Sequence, residues 1–160
     1  MMKVFIHSND GAPKLWAADP QTKEVVFGLI TYRAGGGQKM VVTSDIHQKI
    51  NEKTRKGYEP VGEVKTAKDA MCLRGIFIAG NTGYQPSDPE GIVRCAEEIL
   101  QKYPHIETRA ARLAIEALKM EIAQVHRPKP EPKREPEQKP TNLLIVQPKT
   151  QPNSDWDLVI

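Results

Sequence analysis

The stretch KLWAADPQTKEVVFGLITY, residues 14–32, decides the fold of this chain. It opens with a short apolar run and closes with a run rich in Val, Phe, Ile and Tyr, residue types that favour strands. Between the runs, Asp19-Pro20-Gln21-Thr22 is typical of a tight turn, because aspartate suits its first position and proline presets φ at its second. Two strands joined by so short a link must pair antiparallel. The stretch therefore predicts a β-hairpin with strands over residues 14–18 and 24–32.

Two more strands are predicted on either side of this hairpin. Residues 2–8 precede the turn signal Asn9-Asp10-Gly11, and residues 38–43 follow a glycine-rich break at residues 34–37. None of the links is long enough for a crossover, so the four strands should form an antiparallel meander.

A helix is predicted after the fourth strand. Ser44 is its expected N-cap, Asp45 lies in its first turn where the helix dipole favours a negative charge, and Gly57 ends it. One face carries residues at i, i+4 spacing, namely Ile46, Ile50 and Thr54. Residues 1–62 are thus predicted as one domain of four strands and one helix.

Residues 63–126 are predicted to form a segment of two to three helices. Thr66-Ala67-Lys68-Asp69 and Ser87-Asp88-Pro89-Glu90 both resemble capping boxes. The first should open a helix into residues 71–73, with residues 74–79 either continuing it or forming a strand. The second should open an amphipathic helix that ends before Pro104. The fold class predicted from the sequence is therefore α+β, with the helical segment packed on or beside the sheet.

A longer helix is predicted from Glu107 to Val125, ended by Pro128. Its predicted apolar stripe comprises Ala110, Leu113, Ala114, Ala117, Leu118, Met120, Ile122 and Val125. The stripe can serve intramolecular packing, or it can form the seam of a homodimer, because alanines allow helices to approach closely.

Residues 127–160 are predicted to be a disordered tail. Seven of the 13 prolines lie here among charged residues: Pro128, Pro130, Pro132, Pro136, Pro140, Pro148 and Pro152. Such a composition cannot bury enough apolar surface to offset the entropy of ordering. Two apolar islands interrupt it, at residues 143–146 and 156–160. They can dock on a partner or fold back as an edge strand.

The composition also limits the class of protein. The chain has 160 residues and 39% hydrophobic content, with only a short apolar run near its N-terminus. No segment resembles a signal peptide or a membrane span, so a soluble cytoplasmic protein without a membrane partner is expected. The two cysteines are expected to be buried, reduced thiols, and the four histidines lack ligand-like spacing. We therefore expect no metal, no cofactor and no catalytic residues, and a non-enzymatic protein.

Once the strands and helix are laid out, residues of about 3–60 resemble a WGR domain. The resemblance is carried by Lys14-Leu15-Trp16, by Phe27-Gly28 at the family's Trp-Gly, by Gly37-Gln38 and by Lys56-Gly57-Tyr58 at the end of the helix. The family is found beside the catalytic domains of DNA-dependent poly(ADP-ribose) polymerases and in many bacterial proteins. There the Trp-Gly-Arg segment contacts DNA and helps relay binding to the catalytic domain, so the resemblance implies a DNA-binding module.

The chain departs from the family at the naming tripeptide, which reads Phe27-Gly28-Leu29. Leu29 cannot make the charge-assisted contact of an arginine, and Arg33 is a substitute four residues later. The resemblance and the basic residues together predict a surface that contacts phosphates, with aromatic side chains offering a stacking face. Its predicted members are Phe27, Arg33, Lys39, Lys49, Lys53, Arg55 and Lys56. An ordinary solvated helix face remains the alternative.

The leading hypothesis is therefore a nucleic-acid-binding protein of bacterial or mobile-element type, with DNA favoured and little sequence specificity. The alternative is a protein-interaction adaptor that works through its C-terminal tip. That tip carries two carboxylates, one aromatic and three aliphatic residues: Asp155, Trp156, Asp157, Leu158, Val159 and Ile160. It is similar to the acidic-hydrophobic tail with which bacterial single-strand DNA-binding proteins recruit partners, although it lacks their Pro-Phe ending.

Overall fold

A computed structural model describes residues 1–9, 12–34, 45–128 and 130. The chain divides into two units, Met1–His126 and Arg127–Ile160. The predicted strand over 38–43, the Ser44 cap and both apolar islands lie outside the described residues. No helix among the described residues is long and apolar enough to cross a membrane.

The sheet of the first unit has four antiparallel strands in the order β3-β2-β1-β4. They are β1 (Met2–Asn9), β2 (Ala12–Ala18), β3 (Val25–Leu29) and β4 (Glu59–Val64). The first three confirm the predicted strands. β3 is shorter than predicted because Arg33 has a positive φ of 58° and its amide donates to the Ile78 carbonyl at 2.9 Å, which turns the chain away.

The fourth strand, β4, was not predicted. It pairs with β1 on the side opposite β2, and its register shifts between Val4 and Phe5, which leaves Val61 as a bulge. The bulge interrupts the period-two pattern, and Pro60 and Gly62 are residues that usually weaken a strand. β4 also runs across residue 62, where the sequence predicted a division between domains.

In the described part of the chain, four α-helices complete the α+β fold: α1 (Ile46–Arg55), α2 (Ala67–Ala79), α3 (Pro89–Lys102) and α4 (Arg109–Val125). A 3₁₀ turn, Pro104–Ile106, joins the last two. Residues 74–79 continue α2 as a helix.

Two of the predicted helix starts need correction. The capping box of Thr66 and Asp69 is present, as predicted. In contrast, the N-cap of α3 is Asp88, which accepts from the Gly91 amide, and Ser87 donates to Asp69 instead of capping the helix. α1 likewise begins one residue late, with Asp45 as its N-cap.

The two faces of the sheet carry different helices. Because side chains alternate along a strand, Val4, Leu15 and Val26 face a core shared with α2 and α3. Phe5, Trp16 and Val25 face the opposite way and form a smaller cluster with Ile46 and Ile50 of α1. α1 therefore lies alone on its face of the sheet among the described elements, while α4 packs on α2 and α3.

The predicted apolar stripe of α4 is only partly buried. Ala111, Ile115 and Leu118 form the buried face, whereas Leu113 is 59% exposed and Met120 is 64% exposed. Of the two roles predicted for the stripe, intramolecular packing therefore does not extend to Leu113 and Met120 among the described residues, because the helix is apolar around much of its circumference. Periodicity could not tell which apolar side meets α2 and α3.

Candidate nucleic-acid interface

A row of aromatic side chains crosses the face of the sheet that α1 covers. Phe5 lies opposite Trp16, and Trp16 lies opposite Phe27, on three neighbouring strands. The Phe5 and Trp16 rings are 5.7 Å apart and both are buried under α1. Phe27, at the β3 end of the row, is 46% exposed. The row thus begins in the core and ends in an exposed ring.

Lys53 of α1 lies over this aromatic row. Its Nζ is 5.7 Å from the centre of the Trp16 ring and 5.0 Å from that of Tyr58. Burial lowers the pKa of Lys53, and the nearby Lys56 lowers it further, while Glu52 opposes them. A cation held between two ring faces is restricted in its rotamers and attracted by both rings. Lys53 is therefore a positioned charge rather than a freely moving one.

Two other lysines of α1 share a single carboxylate. Lys56 Nζ donates to Glu52 at 2.6 Å and Lys49 Nζ donates to it at 3.3 Å. These hydrogen bonds lower the pKa of Glu52 and raise that of Lys56. With the exposed Arg55, α1 and its C-cap Lys56 carry four cations against the carboxylates of Glu52 and of the N-cap, Asp45. The helix keeps a positive excess.

The end of α1 is fixed to the sheet through His7. The ring of His7 lies 4.8 Å from the ring of Tyr58, and its Nδ1 is 3.1 Å from the Gly57 carbonyl oxygen. Gly57 has a positive φ of 89°, which suits the predicted role of glycine just past the helix end. This contact holds Tyr58 in place beside Lys53.

Gly28, the middle residue of the tripeptide Phe27-Gly28-Leu29, lies where β3 and α2 approach each other closely. Its φ is +150°, and a methyl group in its place would lie 2.6 Å from Nε of Arg74. That guanidinium is buried and donates to the Leu29 carbonyl at 3.0 Å. The tripeptide is thus joined to α2 through a glycine that leaves room for an arginine.

The structure brings together only part of the predicted set. Lys49, Lys53 and Lys56 lie near Glu52, and Lys53 alone lies over the Trp16 and Tyr58 rings. Arg55 lies on the outward side of α1, away from these rings. Arg33 is fixed to the end of α2, and its guanidinium lies 5.1 Å from the Tyr32 ring centre. Lys39 and the tip residues 155–160 lie outside the described residues.

Sequence reasoning missed Lys14 and His7 as members of this surface. Both lie on the α1 face of the sheet, and Lys14 is exposed, opposite Leu29 and two residues from Trp16. The positive charge of Lys14 contributes to lowering the pKa of Lys53, so the two cations are close. The alternation Lys14-Leu15-Trp16 could have placed Lys14 beside the aromatic row, since every second residue shares a face.

The thiols are free and buried, as predicted. Burial raises the pKa of Cys95 to about 12 and also raises that of Cys72. Within the part of the chain that the structure describes, no three His, Cys, Asp or Glu side chains are grouped closely enough to hold a metal ion.

Comparison with models of protein families, with curated proteins and with solved structures found no match for this chain. A function must therefore be inferred from the residues themselves.

Proposed function

We propose that the α1 face of the sheet binds the sugar-phosphate backbone of a nucleic acid without reading its sequence. The observation that carries the proposal is the position of Lys53, a cation held between the Trp16 and Tyr58 rings beside further basic residues. The resemblance of residues 3–60 to WGR domains supports the same ligand. We define the basic surface by Lys14, Lys49, Lys53 and Lys56, of which the other three lie close to Lys53, together with Arg55 on the outward side of α1.

The geometry suits phosphates more than base edges. Lysine is a point charge on a flexible stem, and Arg55 is the single guanidinium of the basic surface. Phe27 adds an exposed ring on which an unpaired base or a sugar can lie, and such stacking tolerates any sequence. Leu29, at the family's arginine position, contributes no charge. We therefore propose low specificity and a strong dependence of affinity on salt.

Glu52 sets the strength of this interaction. Lys49 and Lys56 are already hydrogen-bonded to its carboxylate, so a phosphate must compete with Glu52 for both. Ion pairs between exposed side chains contribute little to stability because water and salt screen them, so the competition is mild. Glu52 keeps the two lysines near each other until a ligand arrives.

To test the proposal, positive charges are removed from the basic surface in one variant and from outside the basic surface in a matched control. The triple variant K49Q/R55Q/K56Q removes three exposed cations of the basic surface. The matched control K65Q/K68Q/R109Q removes three exposed cations outside it and leaves the same net charge. Binding to fluorescent single-stranded and duplex DNA and RNA is measured by anisotropy from low to physiological salt. Thermal melting checks that both variants fold.

We expect the wild type and the control to bind alike, and the triple variant to bind at least tenfold more weakly at low salt. The slope of log K against log salt should also become shallower by about 0.7 to 0.9 for each phosphate that the triple variant no longer neutralises. Equal weakening by both triple variants would show only a net-charge effect. That result, or no binding of the wild type to any of the four ligands at low salt, would refute the proposal.

A further inference from the structure

The outward face of α4 carries an apolar stripe that the described part of the chain leaves exposed. Leu113, Ala117 and Met120 recur at i, i+4 and i+7, which places them on one side of the helix. Ile115 and Leu118 point the other way and are buried against α2 and α3. Ala110 and Ala114 lie beside Leu113 on the edge of the stripe nearest the core. Both are half-buried: Ala114 contacts the core and Ala110 lies beside Gly80. We call Ala110, Leu113, Ala114, Ala117 and Met120 the outer stripe.

We propose that the outer stripe pairs with the outer stripe of a second copy of this chain, with the two α4 helices antiparallel. The stripe is complementary to itself in that direction. When Leu113 lies opposite Ala117 of the second copy, Met120 lies opposite Ala110, so each large side chain meets a small one. Large-to-small packing lets helix axes approach closely and fill the seam.

The charges beside the stripe favour the same arrangement. Arg112 and Glu116 lie one turn apart on the edge opposite the alanines. Antiparallel pairing about a twofold axis near residue 115 brings Arg112 of each copy close to Glu116 of the other. Arg112 also holds Glu107 at 2.7 Å within its own chain, and Glu116 accepts from Lys119 at 3.4 Å. Because an arginine has five donors, it can keep Glu107 and reach a second carboxylate.

The expected dimer is weak. A single pair of 17-residue helices buries less than the roughly 1,200 Å² at which stable interfaces begin. Association should therefore appear only at high protein concentration, with a dissociation constant on the order of 10–100 μM. A dissociation constant in this range is typical of two copies that associate when a shared ligand brings them together, and it is too weak for a permanent dimer.

Sedimentation of the full chain over a range of concentrations tests the proposal. We expect the average mass to rise toward that of a dimer for the wild type and to stay near that of a monomer for L113K and M120K. The matched control is V125K, because Val125 is 80% exposed on the same helix but lies away from the stripe. A wild type that stays monomeric, or an L113K variant that associates like the wild type, would overturn the proposal. So would equal disruption by V125K.

Disulfide trapping tests the direction of pairing. The native thiols are buried and should not cross-link, which leaves a clean background. Differently tagged L113C and A117C chains are mixed and oxidised in air. Because random pairing already gives twice as much mixed disulfide as either homodimeric one, antiparallel pairing predicts a mixed disulfide well above that ratio. A mixed disulfide at the random ratio would reject the proposed register, and a dominant L113C homodimer would indicate parallel helices and reject it as well. Neither experiment involves nucleic acid, so the dimer and the proposed function can fail separately.

Discussion

At the scale of single residues, Asp69 joins two helix starts through one buried carboxylate. Its buried carboxylate accepts from the Thr66 amide and hydroxyl, from the Ser87 amide and hydroxyl, and from the Asp88 amide. It thus joins the start of α2 to the start of α3. The sequence predicted only the local part of this network, which is the capping box of Thr66 and Asp69. Ser87 lies 18 residues away, and nothing in the local pattern indicated that it would contact Asp69.

The pKa of Asp69 predicts how stability depends on acid. Burial alone would raise the pKa, but the donors of Ser87, Thr66 and Asp88 outweigh it and lower the pKa below its ordinary value. A carboxylate with a depressed folded pKa stabilises the fold above its unfolded pKa, about 3.9, and this contribution is lost as pH falls through the lower folded value. We expect D69N to reduce the free energy of unfolding at pH 7 by about 2–4 kcal/mol.

Urea unfolding from pH 7 down to pH 3 measures both effects. The difference between wild type and D69N should be largest at pH 7. It should shrink below about pH 4, where the carboxyl of the unfolded wild type takes up its proton, and it should be lost as pH falls through the lower folded pKa. The control E121Q changes an exposed carboxylate on α4 and should alter stability by less than about 0.5 kcal/mol. A D69N protein as stable as the wild type at pH 7 would contradict the assigned role.

At the scale of elements, α3 and β4 meet through unusually close packing. A methyl group in place of Gly62 would lie 2.7 Å from the Cys95 sulfur, and the Cys95 thiol lies 3.9 Å from the Glu63 carbonyl oxygen. The bulge at Val61 lies in the same strand, and it interrupts the period-two pattern from which β4 could have been predicted. In α4 the apolar residues could be recognised from the sequence, but the side of the helix that is buried could not. Both depend on which elements become neighbours, and local pattern does not contain that information.

Cys95 can report whether α3 separates from β4. Because burial raises the pKa of its thiol to about 12, almost no thiolate forms near neutral pH, and the sulfur is shielded by β4. In a C72A background, we expect Cys95 to react with a chromogenic disulfide only as fast as the two elements open, at least 100-fold slower than an exposed thiol. A K68C/C72A/C95A variant provides the exposed reference.

The labelling should become fast in urea at the concentration where the protein unfolds. If Cys95 reacts at pH 7.5 in native buffer as fast as the K68C reference, the packing of α3 on β4 is wrong. An opening detected well below the unfolding midpoint would instead locate a weaker unit of the fold within this helix and strand.

At the scale of the molecule, the sequence predicted the α+β class, three of the four strands and the four helices within a few residues. Turn chemistry at Asp19-Pro20 and capping at Thr66 are local, so they could be predicted. The candidate site could be predicted only in part, because Lys53 depends on Trp16, a residue 37 positions earlier on β2. The contacts of Lys53 with the Trp16 and Tyr58 rings arise only when α1 folds over the sheet.

The whole chain combines the unit Met1–His126 with the segment Arg127–Ile160, and a deletion can separate their roles. Among the described residues, the core of the first unit is built from its own strands and helices. We therefore expect that removing residues 150–160 leaves its melting temperature within about 1 °C of the wild type. If the tip Asp155–Ile160 docks on a protein partner with a basic-edged apolar groove, the deletion should abolish capture of that partner, and W156A should weaken it at full length. Nucleic-acid affinity should not fall in either variant, because the basic surface is intact.

Quantitative pull-down and the melting temperatures of the wild type, the deletion and W156A distinguish the outcomes. Unchanged capture in both variants would reject the docking role of the tip, and a large fall in melting temperature would assign it to the fold of the first unit instead.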